Sequence, residues 1–263
     1  MLWLVIAYLG SLATMFMTAF WSVDSFTGSL VKIWSWDNFH TLLTADVYRT
    51  IALRSIGVAV AVTLIDALLA LPIALFMAKV LPLRFAQFAV VVVLLPLWAS
   101  YLVKAYAWRT MFSEGGVLAW LLNPLGISAP GYGLGATVLV LAYLWLPYMI
   151  LPIYAGLERL PNTLLEASSD LGANGGRTFR SIVLPMIYPS LIAGSIFTFS
   201  LSLGDYITVK IVGGKSQLFA NVVYDNVGTA GNLPFAAAAA MVPVVTILAY
   251  LFLVRRSGAL ENL

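Results

Sequence analysis

Three charged residues stand where the neighbouring sequence is apolar, and their types define the chemistry open to them. Asp66 falls in the middle of an apolar run, Lys104 near the end of another, and Asp205 between Gly204 and Tyr206. Charges in such runs are costly, and they face a protein interior or a water-filled path. A carboxylate beside an aromatic face suits a small organic cation, because charge pairing and the ring quadrupole together replace lost hydration. Asp205 with Tyr206 is best placed for this, and Asp66, Tyr101 and Lys104 are the further candidates for a solute pathway. Each has a plainer alternative. Asp66 serves equally as a buried partner to a backbone group or tyrosine hydroxyl, or as the acid of a pair with Lys104. Asp205 would simply end a helix after Gly204, and Lys104 would snorkel to the headgroups. Trp145 and Tyr143 are further aromatic candidates whose alternative is packing.

A second chemistry, docking to another protein, is written in residues 158–185. Pro161 can start a helix, and Leu164, Leu165, Ala167 and Leu171 with Glu166 and Asp170 give a short amphipathic one. Gly172 can end it as a C-cap. A turn through Ala173-Asn174-Gly175-Gly176 leads into a second short helix from Arg177 that Pro185 is expected to stop. Such a compact, charged hairpin fits a groove on a soluble partner, its alternative being a hairpin lying on the membrane surface.

Other chemistries have no support. There is no Cys and one His, His40, so disulfides, thiol catalysis and His-rich metal sites have no residues to build them. No paired carboxylates at a fixed spacing, zinc-protease motif or serine triad is legible, although Asp66 or Glu114 would be the acid of a membrane-embedded enzyme. Gly213-Gly214-Lys215-Ser216 contains a Gly-Lys-Ser triplet, yet a phosphate-binding loop requires Gly where Val209 stands. The 14 Lys and Arg are scattered singly, without the basic stripe of a nucleic-acid binder.

The elements that must position these residues are membrane helices. Of 263 residues, 62% are hydrophobic and 10% charged, against about 45–50% and about 25% in soluble domains. The mean hydropathy is +0.97. A hydrocarbon core of about 30 Å takes roughly 20 apolar residues per helix. Stretches near 2–22, 55–79, 85–108, 133–157, 186–204 and 236–254 supply six such spans in one membrane domain. The run from Leu2 has neither a basic flank nor a convincing cleavage site and reads as a retained helix, with Met1 open as a misassigned start. Trp34-Ser35-Trp36-Asp37-Asn38-Phe39-His40 and the following residues 46–54 read as a short interfacial helix or an ordered loop.

An even number of spans puts both termini on the side of the 158–185 loop. Lys79, Arg84, Arg159, Arg177, Arg180, Arg255 and Arg256 fall there, and Lys32, Arg49, Arg54, Lys104, Arg109, Lys210 and Lys215 on the other side. The counts are equal, but the first set occupies less loop, so charge density favours cytoplasmic termini.

The order Glu166-Ala167-Ser168, then Gly172, then Ile182-Val183-Leu184-Pro185 resembles the EAA loop of permease subunits from binding-protein-dependent ABC importers. All fixed spacings match, with Ser168 standing where the pattern has Ala. The chain is most similar to the spermidine/putrescine-type branch, through Pro96-Leu97-Trp98-Ala99-Ser100-Tyr101-Leu102-Val103-Lys104-Ala105-Tyr106-Ala107-Trp108 and Ser202-Leu203-Gly204-Asp205-Tyr206. The resemblance implies an all-α permease of the type I importer kind, multi-pass in the bacterial inner membrane, with a cytoplasmic coupling helix.

It also implies an ATPase-coupling role for Glu166, Ala167, Ser168, Asp170, Gly172, Arg177, Ile182, Leu184 and Pro185. The chain itself would be no enzyme and bind no cofactor, with ATP and Mg in two partner ATPase subunits. A second, homologous permease and a soluble or lipid-anchored substrate-binding protein would complete the system, and the solute would be a polyamine or another small organic molecule. Two other readings compete: the membrane-embedded enzyme, and a solitary ion-coupled carrier. Carriers often show repeated halves, whereas Pro147, Pro152 and Pro243 have no symmetric mates.

Overall fold

In a computed structural model of the chain, residues 2–24, 26–126, 128 and 131–255 are described. Met1 and Arg256, both weighed above, lie outside them. The first apolar run forms α1 (Leu2–Thr18). A small antiparallel hairpin follows, β1 (Ser22–Val23) and β2 (Leu30–Val31), with Ser22 opposite Val31. Asp24 closes its loop by accepting the amides of Thr27 at 2.8 Å and Phe26 at 3.0 Å. These bonds, that of Thr27 first, hold the Asp24 carboxyl below its ordinary range.

The Asn38 amide of α2 (Asp37–Thr44) donates to the carbonyls of Ala19 and Trp21, each at 2.8 Å, and so pins α2 against the end of α1. Residues 46–54 do not form a separate short helix. They are the first turns of α3 (Asp46–Leu75), which runs on because its first proline is Pro72. A π turn, Phe76–Val80, ends this helix, with the Leu81 amide reaching back to the Phe76 carbonyl at 3.1 Å.

The third apolar stretch is broken rather than continuous. α4 (Leu83–Trp98) and α5 (Tyr101–Phe112) meet at 88° across Ala99 and Ser100, both extended. Pro96 removes an amide from the last turn of α4, and the Lys104 ammonium donates to the Pro96 carbonyl at 2.9 Å. Lys104 therefore closes an elbow. Beyond α6 (Val117–Leu122) and a 3-10 turn, Asn123–Leu125, comes α7 (Leu134–Glu158).

The hairpin helices α8 (Asn162–Asp170) and α9 (Gly175–Thr178) precede a second π turn, Phe179–Val183, and α10 (Leu184–Leu203). Pro185 was expected to stop a helix but sits in the first turn of α10, where its missing amide is tolerated. The π turn before it gives the chain the extra residue it needs to pass a proline without ending the helix. Last come α11 (Ile207–Val212), α12 (Phe219–Gly228) and α13 (Leu233–Val254).

Four of these segments are long and apolar enough to cross a membrane: Asp46–Val80, Leu134–Glu158, Gly175–Leu203 and Leu233–Val254. The bent α4–α5 pair qualifies only as a unit. α1 has 17 residues, about 26 Å at 1.5 Å per residue. All six expected stretches are thus helical, and the chain is an all-α membrane protein. Its centre is the packing of α3, α7 and α10, where Ala70, Ala74 and Met77 meet Met149, Ile150, Ile153 and Leu157, with Val183 and Ile187. Close approach requires Gly156, whose absent Cβ would lie 2.3 Å from Ser190 Oγ.

Candidate functional site

At one end of the central helices stands the 160–185 hairpin, built by local capping. Pro161 is the N-cap of α8, and the helix ends where Gly172 takes φ +76°. The Gly172 amide donates to the Ser169 carbonyl at 2.8 Å and the Ala173 amide to that of Ser168 at 3.0 Å, the paired bonds of a Schellman ending. Asn174 then caps α9 by accepting the Arg177 amide at 2.9 Å. The arms are joined by a hydroxyl pair, Ser168 Oγ with Thr178 Oγ1 at 2.8 Å.

The hairpin is held to the helices beneath it. Leu165, Phe179 and Ile182 pack on the central core. The Lys79 ammonium, at the end of the first π turn, donates to the Leu160 carbonyl at 2.7 Å and to Asn162 Oδ1 at 3.0 Å. Sequence reasoning had counted Lys79 only as a loop charge, because its partners lie about eighty residues away. Glu166, Ala167, Asp170, Gly172, Arg177 and Pro185 are exposed, Ser168 is buried, and Ile182 and Leu184 are half-buried. Leu171 at the tip is 88% exposed. The outer face therefore carries the Glu166 and Asp170 carboxylates, Arg177, small residues and the exposed Leu164 and Leu171.

A second site lies where α10 breaks into α11. Asp205 Oδ1 accepts the Thr208 amide at 2.8 Å, in the first turn of α11. Oδ2 accepts the Tyr101 hydroxyl, brought in by α5 just past the elbow, and the Thr208 hydroxyl at 3.3 Å. The Tyr101 and Trp145 rings stack with centroids 6.0 Å apart. Tyr101, Trp145, Asp205 and Tyr206 line one cavity of about 290 Å³, floored by Ser200, Leu201 and Gly204. Asp205, which is 7% exposed, thus supports the first turn of α11 rather than the end of α10, and it also lines this cavity.

The other candidates fall elsewhere. Lys104 closes the elbow and does not line the cavity. Asp66 is wholly buried on α3 and makes no hydrogen bond from either oxygen among the described residues, so it pairs there with neither Lys104 nor a tyrosine or backbone group. One turn along α3 on either side, Val62 shares a cluster with Leu141 and Ala142, and Ala70 another with Met149 and Ile150. Asp66 is therefore level with Trp145 on α7, whose indole N–H also lacks a hydrogen-bond partner. Tyr143 stacks edge-on against Trp108, away from the cavity. A larger apolar groove of about 480 Å³ between α3, α10 and α13 is lined by no charged residue.

The family model described as binding-protein-dependent transport system inner membrane component matches residues 42–256. The inner membrane ABC transporter permease protein YdcU of Escherichia coli (strain K12) is 43% identical over 100% of this chain and 88% of its own length. The spermidine/putrescine transport system permease protein PotB of Haemophilus influenzae is 32% identical over 85% of this chain and 79% of its own. Among solved structures, a bacterial ABC transporter that imports the acidic polysaccharide alginate superposes with TM-score 0.69 at 16% identity, covering 97% of this chain and 92% of that one. A subunit of the MetNI methionine ABC transporter gives 0.62 at 16% identity, covering 79% and 92%.

Proposed function

The chain belongs to the family of binding-protein-dependent transport system inner membrane components, and from that premise we propose that it is the permease subunit through which an ABC importer moves a polyamine. Membership in that family leaves no place for the solitary carrier or the membrane-embedded enzyme. A soluble or lipid-anchored binding protein delivers the solute, this chain and a homologous second permease form the path, and two ATPase subunits holding ATP and Mg drive it. The hairpin and the chain termini face the cytoplasm, and 1–263 acts as one membrane domain.

The observation that carries the solute class is the grouping of Asp205, Tyr101, Trp145 and Tyr206 around one cavity. An ammonium group entering it would meet the Asp205 carboxylate and the aromatic side chains that line the cavity with it. The Tyr101 and Thr208 hydroxyls now donate to Oδ2, but each can turn and accept from the ammonium instead. The relatives named for spermidine and putrescine agree with this chemistry.

Coupling runs through the exposed carboxylates of α8. Glu166, Ala167, Asp170, Gly172 and Arg177 would lie in the ATPase groove, while Ser168, Ile182, Leu184 and Pro185 keep the hairpin in one piece with α10. Asp66 would join the path only when α3, α7 and α10 part, offering a carboxylate where the present packing leaves it unused. Lys104 would act indirectly, by holding the elbow that presents Tyr101.

The test is uptake of labelled putrescine and spermidine by the complete transporter in proteoliposomes with its binding protein. ATP-dependent uptake by the parent and its loss in Asp205→Asn are expected. Failure of the parent to carry either polyamine would refute the solute class, and full uptake by Asp205→Asn would return that residue to helix capping alone.

A further inference from the structure

Next to the Asp205 cavity the chain already holds an alkylammonium in a carboxylate–aromatic cage, and that group is its own. The Lys210 ammonium, on α11, pairs with the Asp225 carboxylate on α12. It also lies 4.4 Å from the centroid of the Tyr224 ring. Tyr224 in turn stacks on Tyr206, with centroids 4.6 Å apart and planes at 20°. Tyr206 is a wall of the cavity that Asp205 faces, and Asn221 fixes it by donating to its carbonyl at 3.0 Å. A single stacked pair therefore separates two places where a carboxylate and an aromatic face meet.

We infer that Asp225 and Tyr224 form a second ammonium subsite for a linear diamine, occupied between turnovers by the Lys210 side chain. The inference rests on the polyamine reading above. A lysine side chain is a four-carbon stem ending in a primary ammonium, which is the chemistry of one end of such a solute. The pair is open to a competitor, since the side chains of Lys210 and Asp225 are 40% and 34% exposed. An incoming diamine places one ammonium on Asp225 and Tyr224 and releases Lys210 to water, and its second charge adds a longer-range attraction to the carboxylates that a monoamine lacks.

This differs from a structural ion pair in a measurable sign. In a structural pair, Lys210→Met and Asp225→Asn damage the protein alike, and exchanging the two residues restores it. In a subsite, Asp225→Asn slows diamine uptake while Lys210→Met, which removes the internal competitor, leaves it equal or faster. The exchanged pair does not recover.

The experiment uses the assembled transporter in proteoliposomes with saturating loaded binding protein, and runs the three variants beside the parent. In parallel, amine acylation is read by mass spectrometry at Lys210 with exposed Lys215 as internal control, while putrescine is titrated at constant ionic strength. Because putrescine itself consumes reagent, the readout is the ratio of Lys210 to Lys215 labelling, which should rise on the order of 2–5-fold, the factor that a competing cation–π contact can supply. n-Butylamine at equal concentration should do less. An unchanged labelling ratio, or equal loss of uptake in both single variants, overturns the subsite while leaving the polyamine reading intact. A parent transporter that carries no polyamine ends both.

Discussion

The hydroxyls of Ser168 and Thr178 lie 2.8 Å apart and join the two arms of the hairpin. Ser168 stands where the EAA pattern that the loop resembles has Ala, and its hydroxyl adds a bond. Ser168 is also buried, at 7% exposure, so water does not readily replace the lost partner. Ser168→Ala should destabilise the hairpin by about 0.5–1.5 kcal/mol. Hydrogen exchange should quicken over residues 162–178 and stay unchanged in the central helices. Thr178→Ala should match it, with no further effect in the double variant. Additive effects would show that the two hydroxyls do not act on each other.

Glu166 is exposed on α8, so replacing it should leave the fold intact and test the proposed coupling role alone. Glu166→Arg should leave the chain's thermal stability and membrane assembly unchanged, while ATP hydrolysis no longer produces uptake. Full ATP-dependent uptake by this variant would remove Glu166 from the coupling surface.

Gly172 has open space where a Cβ would go, so its cost of substitution is conformational alone. At φ +76° a β-carbon costs roughly 1–2 kcal/mol. Gly172→Val should lose more uptake than Gly172→Asn, because Asn tolerates the left-handed region. Equal behaviour of the two variants would mean that the turn does not have to keep this conformation.

Lys79 ties the end of α3 to the start of α8 through Leu160 and Asn162. Lys79→Met keeps the stem but loses both bonds, and should reduce coupled uptake while basal ATP hydrolysis persists. Asn162→Ala removes one bond and should give a smaller defect in the same direction. A larger defect in Asn162→Ala would show that Lys79 is not the anchor.

Asp66 is a buried carboxyl with no hydrogen-bond partner, and such groups lower stability by about 1–3 kcal/mol. Asp66→Leu should therefore raise the melting temperature of the purified chain and reduce polyamine uptake. A gain in stability with uptake unchanged would remove Asp66 from the pathway.

What could be read in advance follows the range of the interaction. Pro161, Gly172 and Asn174 act within a few residues of themselves, so both arms of the hairpin and its turn were legible. Pro96 marks an interruption of the third stretch, but the right-angle turn at Ala99 and Ser100 was not legible, because prolines are tolerated in membrane helices and Pro72 and Pro147 sit in ones that continue. Pro185 misled for the same reason. Tyr101 and Asp205 were each legible as candidates, but their bond spans 104 positions, and no local spacing encodes it. The Lys210 cage is likewise made by helices that only the fold brings together.

The two π turns, Phe76–Val80 and Phe179–Val183, lie where the central helices approach the hairpin. In the language of crystals each is a dislocation, one surplus residue threaded into an otherwise regular lattice of hydrogen bonds. A dislocation moves by exchanging one bond at a time, without melting the lattice on either side. Each residue that the dislocation passes turns by about 100° and shifts by about 1.5 Å, while the helix on either side keeps its place. Both dislocations are built into the close-packed core itself, through Met77 and Val183, so the hairpin joins that core by way of two irregular turns rather than two unbroken helices.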